Sequence, residues 1–303
     1  MLKPPTSSRA APGRISAVLV ATAVAGLALS ACSNSSNTSG AHHGAMPAQS
    51  MSAHDGMSGT GMGMAAGDGL AATTDGLTLL PAASTLPAGV PAPLGFRITG
   101  TDGHPVTTFE PDQTKLMHLY LIRSDLTGFQ HIHPTMAADG TWTAPLAPAR
   151  PGTYRAYTAF TAKTAGKTVS AVLSRPLTVP GTATDTPLPP PATTTQADGY
   201  TLTVHGGQMM AGMAHTLTVT VTRNGRPVTD LQPYLDSYAH LTAIHAGDLA
   251  FAHLHPHGTV NGNHGGPALT FTATLPRAGD WRLFIQFQTH GALHTAAVTL
   301  HVG

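Results

Sequence analysis

MHLYLIRSDLTGFQHIHP, residues 117–134, returns 122 residues later as AHLTAIHAGDLAFAHLHP, residues 239–256. His118, Leu119, His131, His133 and Pro134 match His240, Leu241, His253, His255 and Pro256 at that spacing, and Asp125 and Leu126 match Asp248 and Leu249 one residue further on. A repeat at fixed period sets the number of domains before any local reading does. The match extends both ways. Upstream, Asp75-Gly76 with Thr78-Leu79 answers Asp198-Gly199 with Thr201-Leu202, and Gly103-His104-Pro105-Val106 answers Gly225-Arg226-Pro227-Val228. Downstream, RPGTYR at 150–155 answers RAGDWR at 277–282 with five residues inserted, around 257–266. Residues 75–180 and 198–303 therefore read as two copies of one domain, joined by a stiff Pro-rich linker over 181–197.

The copies read as all-β. TLTVTVT (216–222) ends at Asn224-Gly225, and WRLFIQFQ (281–288) ends at Thr289-His290-Gly291; both are β-rich runs closed by turn residues. About seven short strands per hundred residues predict an immunoglobulin-like sandwich, with a cupredoxin-like barrel as the nearest competitor. The expectation is two tandem immunoglobulin-like β-sandwich domains.

Within the repeated stretch, HLYLIR and FQHIHP flank Ser124–Gly128 as a hairpin would. Two-residue periodicity sets His131 and His133 on one face. Pairing Arg123 with Gly128 then places His118 opposite His133 and Tyr120 opposite His131. Three imidazoles converge, and His240, His253 and His255 repeat the arrangement. Neutral imidazole is a good donor to Cu(II) and Zn(II), so both trios are candidate metal sites. The competing reading is a shared structural device in which His-Pro sets a strand end. The second copy is the richer in donors: His257, His290 and His294 lie in it, with Met209, Met210, Met213 and His215 in GGQMMAGMAH. Core filling is the bland alternative for those methionines.

The N-terminus adds export. Lys3, Arg9 and Arg14 precede an uncharged apolar run from Ile15 to Leu29, the pattern of a signal peptide over residues 1–31. Leu29-Ser30-Ala31-Cys32 resembles a bacterial lipobox, which implies lipidation at Cys32 and anchoring at the extracytoplasmic face of the cell membrane. Cys32 is the only cysteine, so no disulfide can form within the chain. Residues 32–74 read as a flexible tether: from Ser33 onward there is no aromatic residue and almost no β-branched aliphatic one. This tether carries His42, His43, Met46, Met51, His54, Met57, Met62 and Met64, a tract that reads by composition as metal capture. Losing residues 1–31 turns a formal charge of +1 slightly negative, which gives nucleic acid no reason to bind.

With these residues in view, the chain resembles actinobacterial exported lipoproteins with paired H-x-H-P β-domains, a group described as heavy-metal-binding; the resemblance covers residues 75–303. More distantly, a small β-sandwich with His and Met donors is similar to periplasmic copper-handling proteins of the CopC and YtkA type. The lipobox leaves no CopC-like N-terminal histidine, and no cysteine is left for a blue-copper site. These features lead to a non-enzymatic copper-binding lipoprotein, with methionine suited to Cu(I) and imidazole to Cu(II), zinc as the second metal, and an envelope metal-transfer protein as partner. The alternative is a metal-free immunoglobulin-like adhesion module that binds a protein. A metal-dependent enzyme ranks third, because no nucleophile elbow, phosphate loop or paired-carboxylate pattern is present.

Overall fold

A computed structural model describes residues 67–164 and 166–303, apart from the side chains of His253 and His255. Cys32 and the His/Met tract from His42 to Met64 lie outside the described residues. The first domain comprises β1 (Thr73–Thr74), β2 (Leu77–Pro81), β3 (Ala92–Thr99), β4 (Phe109–Glu110), β5 (His118–Arg123), β6 (Gln130–Ile132), β7 (Thr135–Met136), β8 (Trp142–Leu146), β9 (Gly152–Thr164) and β10 (Lys167–Val179). One sheet runs β1-β2-β3-β8-β7, and the other runs β10-β9-β5-β6 with β4 beside β9.

The second domain comprises β11 (Thr194–Ala197), β12 (Tyr200–His205), β13 (Ala214–Arg223), β14 (Arg226–Pro227), β15 (Ala239–His245), β16 (Phe251–Pro256), β17 (Ala268–Thr274), β18 (Gly279–Thr289) and β19 (Ala292–Val302). Its strands follow β11-β12-β13-β17-β16-β15-β18-β19, because β16 pairs with β15 at one end and β17 at the other. In the first domain the same stretch is split at His133-Pro134 into β6 and β7, one in each sheet. Proline has no N–H to give a ladder, which suits it to such a crossing point. The two domains are tandem immunoglobulin-like β-sandwiches, and all the described strands pair antiparallel.

Each sandwich has its own core, and the repeated sequence explains how it closes. Trp142, Phe96 and Tyr154 are buried in the first, Trp281, Phe271 and Phe287 in the second. RPGTYR and RAGDWR close their domains in the same way. The Tyr154 hydroxyl donates to the Arg150 carbonyl at 2.9 Å, and the Trp281 indole N–H donates to the Arg277 carbonyl at 2.9 Å. A large ring is thereby buried with its polar atom satisfied. At the hairpin tip, Leu126 and Gly128 adopt positive φ, and the Asp125 carboxylate accepts from the Thr127 N–H and hydroxyl. Asp248 caps its own turn likewise by accepting from the Ala250 N–H.

The central strands are buried on both faces. Along β5, Leu119 and Leu121 enter the first core, while Tyr120 and Ile122 point the other way and are equally buried. Their cover is the second domain, which presents Ile244, Phe251 and Phe284. Corresponding residues meet reciprocally. Phe129 stacks on Phe284 at 4.1 Å between ring centres, and its repeat counterpart Phe251 packs on Tyr157, the counterpart of Phe284, at 5.2 Å. Such reciprocity marks a self-complementary interface like that of a two-fold dimer, here formed within one chain. Each large apolar side chain buried there contributes roughly 1.5–3 kcal/mol.

Two boundaries differ from the sequence reading. Thr194–Ala197, assigned to the linker, form β11 and pair with β12. Gly67–Thr74, assigned to the tether, is packed: Phe251 N–H donates to the Asp68 carbonyl at 2.7 Å, Ser174 N–H to the Ala71 carbonyl at 2.9 Å, and Thr73–Thr74 pair with β2. One residue in this stretch explains the path. Gly69 adopts φ +69, and a Cβ there would lie 2.9 Å from Phe251 Cβ and 3.0 Å from Val172 Cγ1, so only glycine lets the backbone pass between the domains.

Candidate metal centre

The β5–β6 register pairs Tyr120 with His131 and Leu119 with Ile132, as the hairpin reading required. Continued by one residue, it sets His118 opposite His133. The repeat has the same register, with Thr242 paired to His253 and Leu241 to Leu254. Strand alternation then sends His118 to the outward face with Tyr120 and Ile122, and His240 to the outward face with Ile244. The two histidine faces therefore meet at one domain junction. His118 and His240 lie 6.0 Å apart between ring centres and 3° from parallel, as equivalents beside a two-fold axis do.

Among the described residues, one group of at least three potential ligands is close enough to hold an ion: His118, His131 and His133, whose donor atoms lie within 4.8 Å of one another. The hydrogen bonds around it decide which nitrogens carry protons. His118 Nε2 lies 3.0 Å from the Asp112 carbonyl, which can only accept, so Nε2 carries the hydrogen and Nδ1 of the neutral ring has a lone pair. His131 Nδ1 lies 2.7 Å from Gln286 Oε1, and with the amide in this orientation the hydrogen sits on Nδ1 and a lone pair on Nε2. Those two lone-pair nitrogens face each other at 3.0 Å. In that tautomer a cation between them is favourable; with the Gln286 amide turned the other way, His131 Nε2 donates to His118 Nδ1.

A proton is a poor choice for that cation. Burial lowers the His118 pKa from its usual value, against the hydrogen bond to the Asp112 carbonyl that works to raise it. Burial also pushes His133 down to about 4, with His118 and Lys115 adding to the effect. His133 Nε2 is buried and has no hydrogen-bond partner. Three neutral imidazoles with donors turned inward form a nitrogen ligand set. Two ligands of one ion at about 2.0–2.1 Å can be at most about 4.2 Å apart, so a pair as wide as 4.8 Å closes on binding.

Aromatic rings wall the site. Tyr120 stacks on His131 at 4.3 Å, and Tyr234 lies 6.5 Å from both His131 and His133. Burial raises the Tyr234 phenol to about 12 and Tyr120 well above its ordinary value, so both stay protonated. The Tyr120 hydroxyl and His240 Nε2 are hydrogen-bonded at 2.9 Å across the junction. The structure thus brings His240 to the first trio. The backbones of His253 and His255 lie in β16, and their side chains are outside the described residues.

The auxiliary candidates separate. Met209 is buried in the second core and is a packing residue, a correction to its reading as a ligand. Met210 and Met213 are exposed. His215 Nε2 accepts the Met210 N–H at 2.9 Å. Both nitrogens of His294 are engaged, by Asp198 and Thr289, each at 2.9 Å, which makes it structural in this conformation. His257 Nε2 bonds to the Thr272 hydroxyl, and His290 sits in the β18–β19 turn with φ +49. Sequence reasoning did not find Asp112, Tyr234 and Gln286, all contributors to this site. Gln286 was visible only as a polar residue amid the apolar WRLFIQFQ.

A family profile described as a domain of unknown function, DUF8832, matches residues 72–175 and again 194–303. No curated protein matches the chain. Among solved structures, an Escherichia coli adhesin, FdeC, shares 16% identity over 76% of this chain and 65% of its own, with a TM-score of 0.24. A Salmonella alpha-2-macroglobulin shares 12% over 77% of this chain and 15% of its own, with a TM-score of 0.25. The titin Z1Z2 domains share 14% over 76% of this chain and 98% of theirs, with a TM-score of 0.19. The chain spans under two thirds of the first two.

Proposed function

We propose that this chain, which belongs to the DUF8832 family, is a non-enzymatic metal-binding protein holding a divalent transition-metal ion on His118, His131 and His133. The observation that carries this reading is the cluster of three imidazoles whose ligand atoms lie within 4.8 Å of one another, with His118 Nδ1 and His131 Nε2 3.0 Å apart. An all-nitrogen set favours Cu(II) or Zn(II); Cu(I) is the ion for the methionine-rich tract in the N-terminal segment. Taken with the lipobox-like Leu29–Cys32, the role is capture, storage or delivery of copper at the cell envelope by a Cys32-anchored protein.

The test is metal content and titration of the untagged full chain against His131→Ala/His133→Ala. One equivalent of Cu(II) or Zn(II), with its nitrogen hyperfine signature for copper, is expected to disappear. Equal stoichiometry in both proteins would make the trio structural, and the metal-free adhesion module would then lead.

A further inference from the structure

Resting on that reading, we propose that the metal site belongs to both domains: Gln286 of the second is the positioning residue for His131 of the first, so that ion binding and domain docking form one equilibrium. Gln286 lies in the middle of β18, opposite His240, with its backbone held on both sides by β15 and β19. Its side chain is 3% exposed and faces out of its own sandwich. There the amide oxygen meets His131 Nδ1 at 2.7 Å while its nitrogen donates to the Thr295 hydroxyl at 3.4 Å. A histidine ligand whose second N–H is held by such an acceptor has its tautomer and ring orientation fixed, and loss of the acceptor weakens metal affinity about 10–100-fold.

The first domain cannot supply this group itself. The position corresponding to Gln286 is Ala159, which pairs with His118 on β9 and has no polar side chain. His240 adds to the grip from the second domain, stacking on His131 at 4.6 Å and 25°. Separating the sandwiches therefore removes both the acceptor and the stacking ring from His131 while leaving the three donors on one domain. Linkage is reciprocal: whatever factor docking adds to ion affinity, the ion adds to docking.

The experiment uses the full chain and Zn(II) as probe, comparing wild type, Gln286→Leu and Gln286→Glu by competition with a chromophoric chelator. Gln286→Leu is expected to lower affinity at this site about 10–100-fold with the stoichiometry kept, and Gln286→Glu, which retains an acceptor oxygen, to restore it. In hydrogen exchange, Zn(II) is expected to slow β15 and β18 of the wild type and not of Gln286→Leu. Gln286→Leu binding as tightly as wild type, or Zn(II) protecting only the first domain, overturns the shared site while the metal reading stands. Absence of Zn(II) and Cu(II) from the trio in wild type overturns both.

Discussion

β5 and β15 are one strand written twice. HLYLIR and HLTAIH both begin with an outward histidine, bury both faces and sit between a hairpin partner and a long strand. They part at the second outward position, Tyr120 against Thr242, and at the residue facing the histidine, Ala159 against Gln286. Because the copies dock face to face, these differences are complementary. One face gathers three donors, and the other contributes an amide and a stacking ring to the same site. A duplicated domain can thus keep its backbone plan while dividing the work of a single centre.

The most severe test of that division lies in the aromatic pairs that make the docking reciprocal. Buried Phe284→Ala should destabilise the full chain by about 3–5 kcal/mol in denaturant titration, and half-buried Phe129→Ala by less. Because the two rings touch, the double variant should cost less than the separate losses combined. An effect confined to one of them would mean that the domains do not share this interface. Next in size, Tyr120→Phe should cost about 1–3 kcal/mol, since it removes the hydroxyl that meets the buried His240.

The third prediction concerns acid. In the metal-free protein His133 is held near 4 and His118 is also lowered, whereas an unfolded histidine titrates near 6.5. Between these values the unfolded chain binds more protons, so stability should be level above about pH 6.5 and fall as pH drops toward 4. His133→Gln should make that slope shallower, and an unchanged slope would place the acid-sensitive group elsewhere. The smallest effect belongs to Met213. Met213→Ala at its exposed position should stay within about 0.5 kcal/mol, while buried Met209→Ala should cost about 2–5 kcal/mol.

Much of this was legible in the amino-acid sequence. The strand register follows from the turn and the alternation, and it places His118, His131 and His133 on one face without further information. The docking of the domains was also written there, though less openly. HLYLIR is apolar at Tyr120 and Ile122 as well as at Leu119 and Leu121, and a strand apolar on both sides must be covered on both sides. The role of Gln286 was not legible, because its partner lies 155 residues away on another domain and no local pattern connects them. The Asp112 carbonyl was invisible for a simpler reason: every residue has one, and only the fold says which one an imidazole meets.

The run from Gly67 to Ala72 ties the start of the described chain to both sandwiches at once. Phe251 of one sandwich and Ser174 of the other both donate backbone hydrogen bonds to it, and Asp68 is ion-paired with Arg277. A force pulling on Gly67 is therefore felt first at the seam, where these bonds must peel away before either sandwich is strained. If the protein is held at its N-terminal side, tension reaches these bonds before it reaches the strands of either core.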